Sequence, residues 1–497
     1  MKLSRYVALL LCAIFLALPL VSCGSPEETT SPVTTDPPTT TEAWISDGLD
    51  PELNYEGEKV RVLARGDEWY YDEMSVTSEE VMNVIDQSVY DREAYVEERL
   101  GVDLTVEKRV IGTDYNALEN LARTYFRAGT DAIDILASPS LQAANLTTEG
   151  VMWDLRQVEN IDFSQPWYSQ DFVDLATLKG ITFFVAGDAT LSYMRYAFCT
   201  FVNLELAANY GIPSIYKTVD DGKWTLDYLS TTVANIYDDL NDNGKKDEGD
   251  RYGFATSPKT GTDVFYSSFD LKMVAKNEDG ELENVIDVDK FQSALAAICD
   301  LFYVNPGSIT VKFIEGDLEY YKMITAFASD RYLFTNMRLI SVESKEFMDM
   351  ESNYGIIPTP KWNEDQTEYK TYVHDLYTVL GIIGTVPEEK LSMMGAFLEA
   401  FSCYSYNATR DVYFETALKG RYVRDHESRR MLDIIVESRY IDGGWIYNQR
   451  LDSFACTLRD LVEAKNSNWA STYNSKKGSL NANIKVLNHR FGYGSGK

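Results

Sequence analysis

The earliest periodic stretch, Lys59–Ala64 (KVRVLA), alternates polar and apolar residues with period two, the pattern of a half-buried strand. Val89, Val96 and Leu100 then fall on one helical face, with Gly101 as a stop, and Val102, Leu104 and Val106 alternate again as a second strand. Asp114 is placed to cap the clearest helix of the chain. Leu118, Leu121, Ala122 and Tyr125 stand at i, i+3, i+4 and i+7, and Gly129 ends it. Asp131–Ala137 (DAIDILA) reads as a third strand, running into the turn Ser138-Pro139-Ser140. Strand, helix, strand, helix, strand over about 80 residues predicts parallel βαβ units.

Farther on, Thr225 caps a predicted helix carrying Leu226, Leu229, Val233 and Ile236. An Asp/Asn/Gly loop follows, and Arg251–Thr256 has strand character. Helical patterns return near 289–303, 388–403 and 427–438, where Leu432, Ile435 and Val436 share a face. No solenoid-type repeat is present. About 440 residues carry this pattern, more than one core usually serves, so two α/β lobes are expected. The alternation alone fits many enzymes equally well.

The first residues have the organisation of an export signal. Lys2 and Arg5 supply positive charge, and Val7–Pro19 is an almost wholly apolar run, too short to span a bilayer comfortably. Leu20-Val21-Ser22-Cys23 resembles a bacterial lipobox, whose cysteine carries diacylglycerol on its thiol and becomes the new N-terminus. On that reading residues 1–22 are a signal peptide and 23–55 a lipidated, disordered linker. Residues 24–44 are Gly, Ser, Pro, Glu and Thr with almost nothing to bury. No later apolar run reaches the roughly 18 residues of a membrane span, so the acyl chains would hold the protein on the outer face of the cell membrane.

The net charge of −31 becomes −33 once Lys2 and Arg5 leave with the signal. Such a body repels phosphate backbones, which excludes nucleic acid as a partner class and favours a neutral solute over an anionic one. Cys12 leaves with the signal. Cys199, Cys299, Cys403 and Cys456 stand alone, without a C-x-x-C spacing, in apolar surroundings that suit buried thiols. Spacing leaves a disulfide among them open.

Residues 239–250 read DLNDNGKKDEGD. Aligned with a calcium-binding EF-hand loop, Asp239, Asn241 and Asn243 take positions one, three and five, and Gly244 the sharp turn at six. Lys245 offers its carbonyl at seven, Asp247 a ligand at nine, and Asp250 the closing carboxylate. Calcium takes six to eight oxygens, and this spacing wraps them round one point. Position twelve is Asp where Glu is usual, and a strand follows where the second helix would stand. The expected role is structural. The plain alternative is a solvated acidic turn.

Several phrases, in order, resemble the sugar-binding (family 1) extracellular solute-binding proteins of bacterial ABC importers. They are Asp91–Leu104 (DREAYVEERLGVDL), Asp134–Ala137, Leu146–Leu155, Phe184–Asp188, Phe201–Asn203 and Lys223–Asp227 (KWTLD). Met323–Asp330 (MITAFASD) and Tyr354–Lys361 resemble that family's second-lobe strands, and Arg424–Leu432 its late helix. The resemblance covers about residues 56–440. It implies an α/β, two-lobed periplasmic-binding-protein-like fold with a hinge between lobes, a cleft that closes on ligand, an ABC permease as partner and a monomer. By analogy, 56–197 with 380–430 form lobe 1 and 203–375 with 440–490 form lobe 2. The hinges fall near Ala197–Asn203, Tyr377–Thr385 and Arg439–Gly444.

Ligands of open α/β sheets bind beyond the carboxyl ends of strands, which directs attention to the loops there. Arg65–Tyr70 follows the first strand, and Asp67, Glu68, Trp69 and Tyr70 combine carboxylates that accept sugar hydroxyls with rings that cover a pyranose face. Ser138, Asp188, Tyr193, Thr256 and Trp445 complete the candidate ligand set. With 33 Tyr and 8 Trp, most rings belong to the core. A glycosidase needs two carboxylates roughly 5–10 Å apart, and no local signature singles out a pair. The three histidines, His374, His426 and His489, form no metal spacing, and no G-x-S-x-G occurs. No catalytic role is assigned. A non-transport, glycan-binding surface lipoprotein is the second rival.

Overall fold

A computed structural model describes residues 44–311, 318–423 and 425–491, with only the backbone of 318, 319, 421 and 422. Residues 1–43, expected from sequence to be an export signal, a lipidated Cys23 and a tether, lie outside the described residues. From Ile45 onward the chain forms one compact unit. No described helix is long and apolar enough to cross a membrane.

The chain first lays down three strands, β1 (Glu58–Arg65), β2 (Val102–Arg109) and β3 (Ile135–Pro139). It crosses to a second sheet with β4 (Phe198–Asn203), β5 (Tyr237–Asp238) and β6 (Arg251–Thr256). A small hairpin, β7 (Val274–Lys276) with β8 (Leu282–Asn284), precedes β9 (Ser308–Thr310), β10 (Tyr332–Arg338) and β11 (Tyr354–Ile357). After β12 (Thr371–Tyr372) it returns to the first sheet as β13 (Thr378–Ile382), and β14 (Arg439–Tyr440) follows. The first sheet has the order β13-β3-β1-β2 and the second β11-β4-β10-β6-β5, with β9 on β6.

Both sheets are mixed. In the first, β1 pairs parallel with β2 and β3, while β13 runs antiparallel to β3. In the second, β10 is parallel to β6 and antiparallel to β4. Strands β3, β4, β10 and β13 are buried throughout, as expected where helices cover both faces. The chain therefore passes between sheets before Phe198 and again between Tyr372 and Thr378. Two crossing segments lie side by side, because β12 pairs parallel with β14.

Local rules explain most of the elements. The helix Val84–Leu100 begins with a capping box, in which the Asn83 side chain accepts from the Asp86 amide and Asp86 from the Asn83 amide. It ends at Gly101 with φ +61°, a left-handed conformation that favours glycine. The helix Ala117–Ala128 starts from Asn116 rather than Asp114, two residues before its first buried side chain, Leu118, and Gly129 closes it at φ +62°. The third strand starts at Ile135. The Arg61 guanidinium grips Asp134 at 2.9 Å and Asp131 at 3.1 Å, holding that segment at the strand's edge as its lead-in.

Two phrases differ from the family-based expectation. Met323–Ala328 belongs to the helix Leu318–Ala328, where Met323, Ile324 and Phe327 are buried at helical spacing, and the strand follows it as β10. Phe184–Asp188 contributes only isolated bridges, Val185 to Leu380 and Tyr168 to Gly187. Residues 45–55, read from sequence as linker, are tied down by Arg99, which donates to Asp47 at 3.0 Å, and by the Tyr55 amide on the Leu100 carbonyl. The four described cysteines are free thiols, Cys199 and Cys403 buried and Cys299 and Cys456 half-buried.

Candidate functional site

The carboxyl ends of β1, β2, β6 and β10 meet at a cavity of about 390 Å³. Its first wall is Arg65 and the turn Asp67–Tyr70 after β1, with Gly112, Thr113 and Tyr115 after β2. Thr260 after β6, Tyr320 and Tyr321 on Leu318–Ala328, and Arg338 ending β10 form the opposite wall. Tyr196, Phe198, His374 and Leu376, from the crossing segments, form the floor. Both sheets and the segments joining them therefore contribute. That is the arrangement of a ligand cleft between lobes.

Cations and rings alternate along this cavity. The Arg65 guanidinium lies 4.1 Å over Tyr70, whose ring meets Tyr196 edge to face at 5.4 Å. Arg338 lies 4.9 Å from Tyr196, 4.2 Å from Tyr320 and 5.3 Å from Trp69. Such contacts fix both the cations and the rings, each adding about 0.5–2 kcal/mol depending on desolvation. Trp69 spans the gap, donating from Nε1 to the Tyr321 hydroxyl at 3.2 Å, and Tyr70 donates to the Leu376 carbonyl at 3.0 Å. Asp67 accepts from Arg65 at 2.7 Å and from the Gly112 amide at 2.8 Å. Burial alone would raise its pKa, but these donors outweigh burial and hold it below the usual carboxylate range.

A second chamber of about 690 Å³ adjoins the first, and Glu68, Trp69 and Tyr321 line both. Arg195 is buried on its wall and bridges Asp72, from the segment after β1, to Glu343, from the turn after β10. His374 in the first chamber is held well below its ordinary pKa by burial first and then by Arg338, Arg459 and Arg65, so it stands neutral. Its Nδ1 lies 3.4 Å from Asp375.

Of the residues chosen from sequence, Asp67, Glu68, Trp69 and Tyr70 line the cavity. Asp188 and Tyr193 line a separate cavity of about 340 Å³. There Asp188 is buried in ion pairs with Arg439 at 2.7 Å and Arg410 at 3.1 Å, and Tyr193 donates to Ser169 at 2.8 Å. Ser138 and Thr256 are fully buried within β3 and β6 and do not line the cavity. The helix beginning at Thr260 comes so close to Thr256 that a Cβ on Gly261 would sit 2.0 Å from its hydroxyl oxygen. Trp445 is buried against Tyr266 at 5.5 Å and Tyr372 at 5.6 Å, away from the lining. Arg65, Arg338, Tyr196, Tyr320, Tyr321 and His374 were missed. Only Arg65 and Arg338, each ending a strand, carried a signal that could have found them.

The loop 239–250 closes on itself through hydrogen bonds among its own residues. Asp239 accepts from the Asn243 and Gly244 amides, Asn243 from the Lys245 amide at 2.7 Å, and Asp247 from the Gly249 amide at 2.8 Å. Gly244 is left-handed, at φ +70°. Asn241 donates to Asp247 at 3.2 Å. Asp250 is fully buried. Its Oδ2 accepts from Tyr237 and the Asp247 amide, while Oδ1 has no hydrogen-bond partner among the described residues. Among the described residues no three His, Cys, Asp or Glu side chains gather as a metal centre, so any ion here would draw on amide and carbonyl oxygens too.

No family model and no curated protein matches this chain. Solved structures do resemble it. The GacH receptor of Streptomyces glaucescens, solved unliganded and with acarbose, has a TM-score of 0.51 at 13% identity, covering 88% of this chain and 99% of that one. The apo-form of RafE from Streptococcus pneumoniae has a TM-score of 0.51 at 13% identity, over 89% and 99%. An open-conformation sugar transporter from Rhizobium etli has 0.53 at 12%, over 86% and 99%. At this identity the likeness establishes the fold, the two-lobed periplasmic-binding-protein architecture.

Proposed function

We propose that this chain is the solute-binding protein of an ABC importer and captures a carbohydrate between its two lobes. The observation that carries this reading is the cavity at the strand ends, where Trp69 and Tyr70 face Tyr320, Tyr321 and Arg338 across the gap. Rings supply flat apolar faces for a pyranose, while hydroxyls and charged groups supply directional hydrogen bonds. The fold's likeness to receptors solved with sugars supports the ligand class. The two adjoining chambers favour an oligosaccharide over a single ring.

Capture needs no catalyst. Closure of the lobes would desolvate the ligand against the rings, and the permease would read the closed form. In this reading Cys23 carries the lipid anchor, the receptor stays on the extracytoplasmic face, and it works as a monomer. The test is a thermal-shift and calorimetric screen of oligosaccharides. Saturable binding without product supports the reading, whereas turnover of chromogenic glycosides would identify a glycosidase instead.

We also propose that the loop 239–250 holds a structural calcium ion. The buried, unpartnered Asp250 oxygen supports it, because a buried carboxylate oxygen without a donor is costly and a divalent cation would satisfy it. Asp239, Asn241, Asn243, the Lys245 carbonyl, Asp247 and Asp250 would be the ligands. The ion would pin the entry to β6 and take no part in sugar capture.

A further inference from the structure

Away from the cleft, a groove of about 820 Å³ lies where the helix Ala117–Ala128 and the C-terminal helix Trp469–Phe491 both end. It shares no lining residue with either cleft chamber. Four guanidiniums line it: Arg123 and Arg127, one turn apart on the first helix, Arg450, and Arg490 on the second. Among the described residues Glu149 is the only carboxylate in the lining. It accepts from the Arg123 Nε at 2.6 Å and from the Arg450 Nη2 at 3.1 Å, which sets those two cations side by side. Glu119, buried 3.7 Å from Arg123, accepts from Asn145 and is the other acid beside the cluster.

Two acids against four guanidiniums leave two positive charges unbalanced. Arg127 and Arg490 are exposed and make no hydrogen bond or ion pair with any described residue. Arg127 does not cap its own helix, because the last carbonyls, Tyr125 and Phe126, take the Thr130 and Gly129 amides. It therefore adds charge to a cluster that Glu149 only half balances. The Arg450 Nε is buried and also lacks an acceptor among the described residues. Phe126, Val151 and Val486 supply the apolar part of the lining, and Val486 is 57% exposed.

We propose that this groove binds a phosphate monoester, its phosphate among Arg127, Arg450 and Arg490 and its organic part against Phe126 and Val486. A phosphate monoester carries about −1.5 to −2 charges at pH 7, which matches the two unbalanced cations. Its three terminal oxygens can be shared among guanidiniums that converge from different elements, whereas a carboxylate has two. The overall charge of −31 does not prevent this. At physiological salt the Debye length is about 8 Å, so a group inside the groove responds to the guanidiniums around it and little to acids on distant faces. The groove stands apart from the cleft, so this inference does not rest on sugar capture.

Calorimetry on the full chain at constant ionic strength tests it with two esters. Glycerol 3-phosphate is a soluble monoester, and dihexanoyl phosphatidic acid, kept below micelle formation, presents the same group as a lipid headgroup. Inorganic phosphate, glycerol and glycerate are the controls. At least one ester should bind more tightly than inorganic phosphate, the stronger of the two identifying the source, and neither glycerol nor glycerate should displace it. In the double variant Arg127→Gln, Arg490→Gln the ester's affinity should fall at least tenfold. The ligand-free melting curve should not move, since neither side chain has a partner to lose. Any sugar that the wild-type chain captures should bind the double variant equally well, which separates failure here from failure of the carbohydrate reading. No binding by either ester, inorganic phosphate or glycerate binding as tightly as the esters, or an unchanged affinity in the double variant overturns the inference.

Discussion

Arg195 ties together segments that belong to different sheets, and its removal should be felt in both stability and closure. Its guanidinium donates to Asp72 from Nη1 and Nη2 at 2.7 Å each and to Glu343 from Nε at 3.0 Å and again from Nη2 at 3.1 Å. The Arg195 side chain is 5% exposed and its partners 19% and 20%, so solvent screens the pairs only weakly. Arg195→Met keeps the packing stem and removes the charge, leaving two carboxylates facing each other with no cation. Breaking a buried pair from one side costs about 3–5 kcal/mol. Per kcal/mol, Tm moves roughly 2–4 °C for 150–250 residues and less in a longer chain, so a fall of roughly 3–10 °C is expected. Burial already pushes the Glu343 carboxyl up, with Arg195 opposing it, so losing Arg195 raises it further and makes the deficit larger at pH 8 than at pH 5. The decisive measurement is a mutant cycle by thermal and urea denaturation. Adding Asp72→Asn and Glu343→Gln to Arg195→Met should recover most of the loss, because the stranded charges are gone. A single-mutant cost below about 1 kcal/mol, or no recovery in the triple variant, would refute the reasoning.

Three other outcomes are expected. Trp69→Ala should weaken the cognate sugar at least tenfold in calorimetry with little change in Tm, because the indole is half-buried and spans the gap to Tyr321; unchanged affinity would remove Trp69 from the site. Excess calcium over EDTA should raise Tm in the wild-type chain and not in Asp250→Asn, and an equal response in both would show that this loop binds no ion. Glu399 is buried, accepts from Tyr168 at 2.8 Å, and burial raises its pKa to about 8, above the roughly 4.3 of an unfolded chain. The native state therefore keeps a proton that the unfolded state has released. Stability should fall as pH rises from about 4 to 8 and then level off, and Glu399→Gln should flatten that slope in denaturation curves taken across this range.

The period-two and period-3.6 patterns of the chain determined its elements closely, because each records which side of a strand or helix loses water. Arg251–Thr256 stands where the pattern puts it, the helix Glu388–Tyr404 nearly so, and Gly101 and Gly129 close their helices as left-handed caps. Turn chemistry was equally legible at 239–250, where short-range hydrogen bonds depend only on neighbours a few residues away. The first strand end likewise announced Asp67 to Tyr70 as lining of the cavity at the strand ends, since a loop after a parallel strand lies at the sheet's carboxyl edge by topology alone.

What the tertiary structure decided is which polar and aromatic residues meet. Asp188, Tyr193 and Trp445 have the same composition as cleft residues, yet Asp188 is taken by Arg410 and Arg439 and Trp445 by Tyr266 and Tyr372. Arg65 and Arg338 lie 273 positions apart in the chain and come to one cavity only because two sheets abut at their strand ends. Local sequence fixes how a segment folds. The charge of a site depends on which distant side chains share its desolvated space, and no pattern along the chain records that distance.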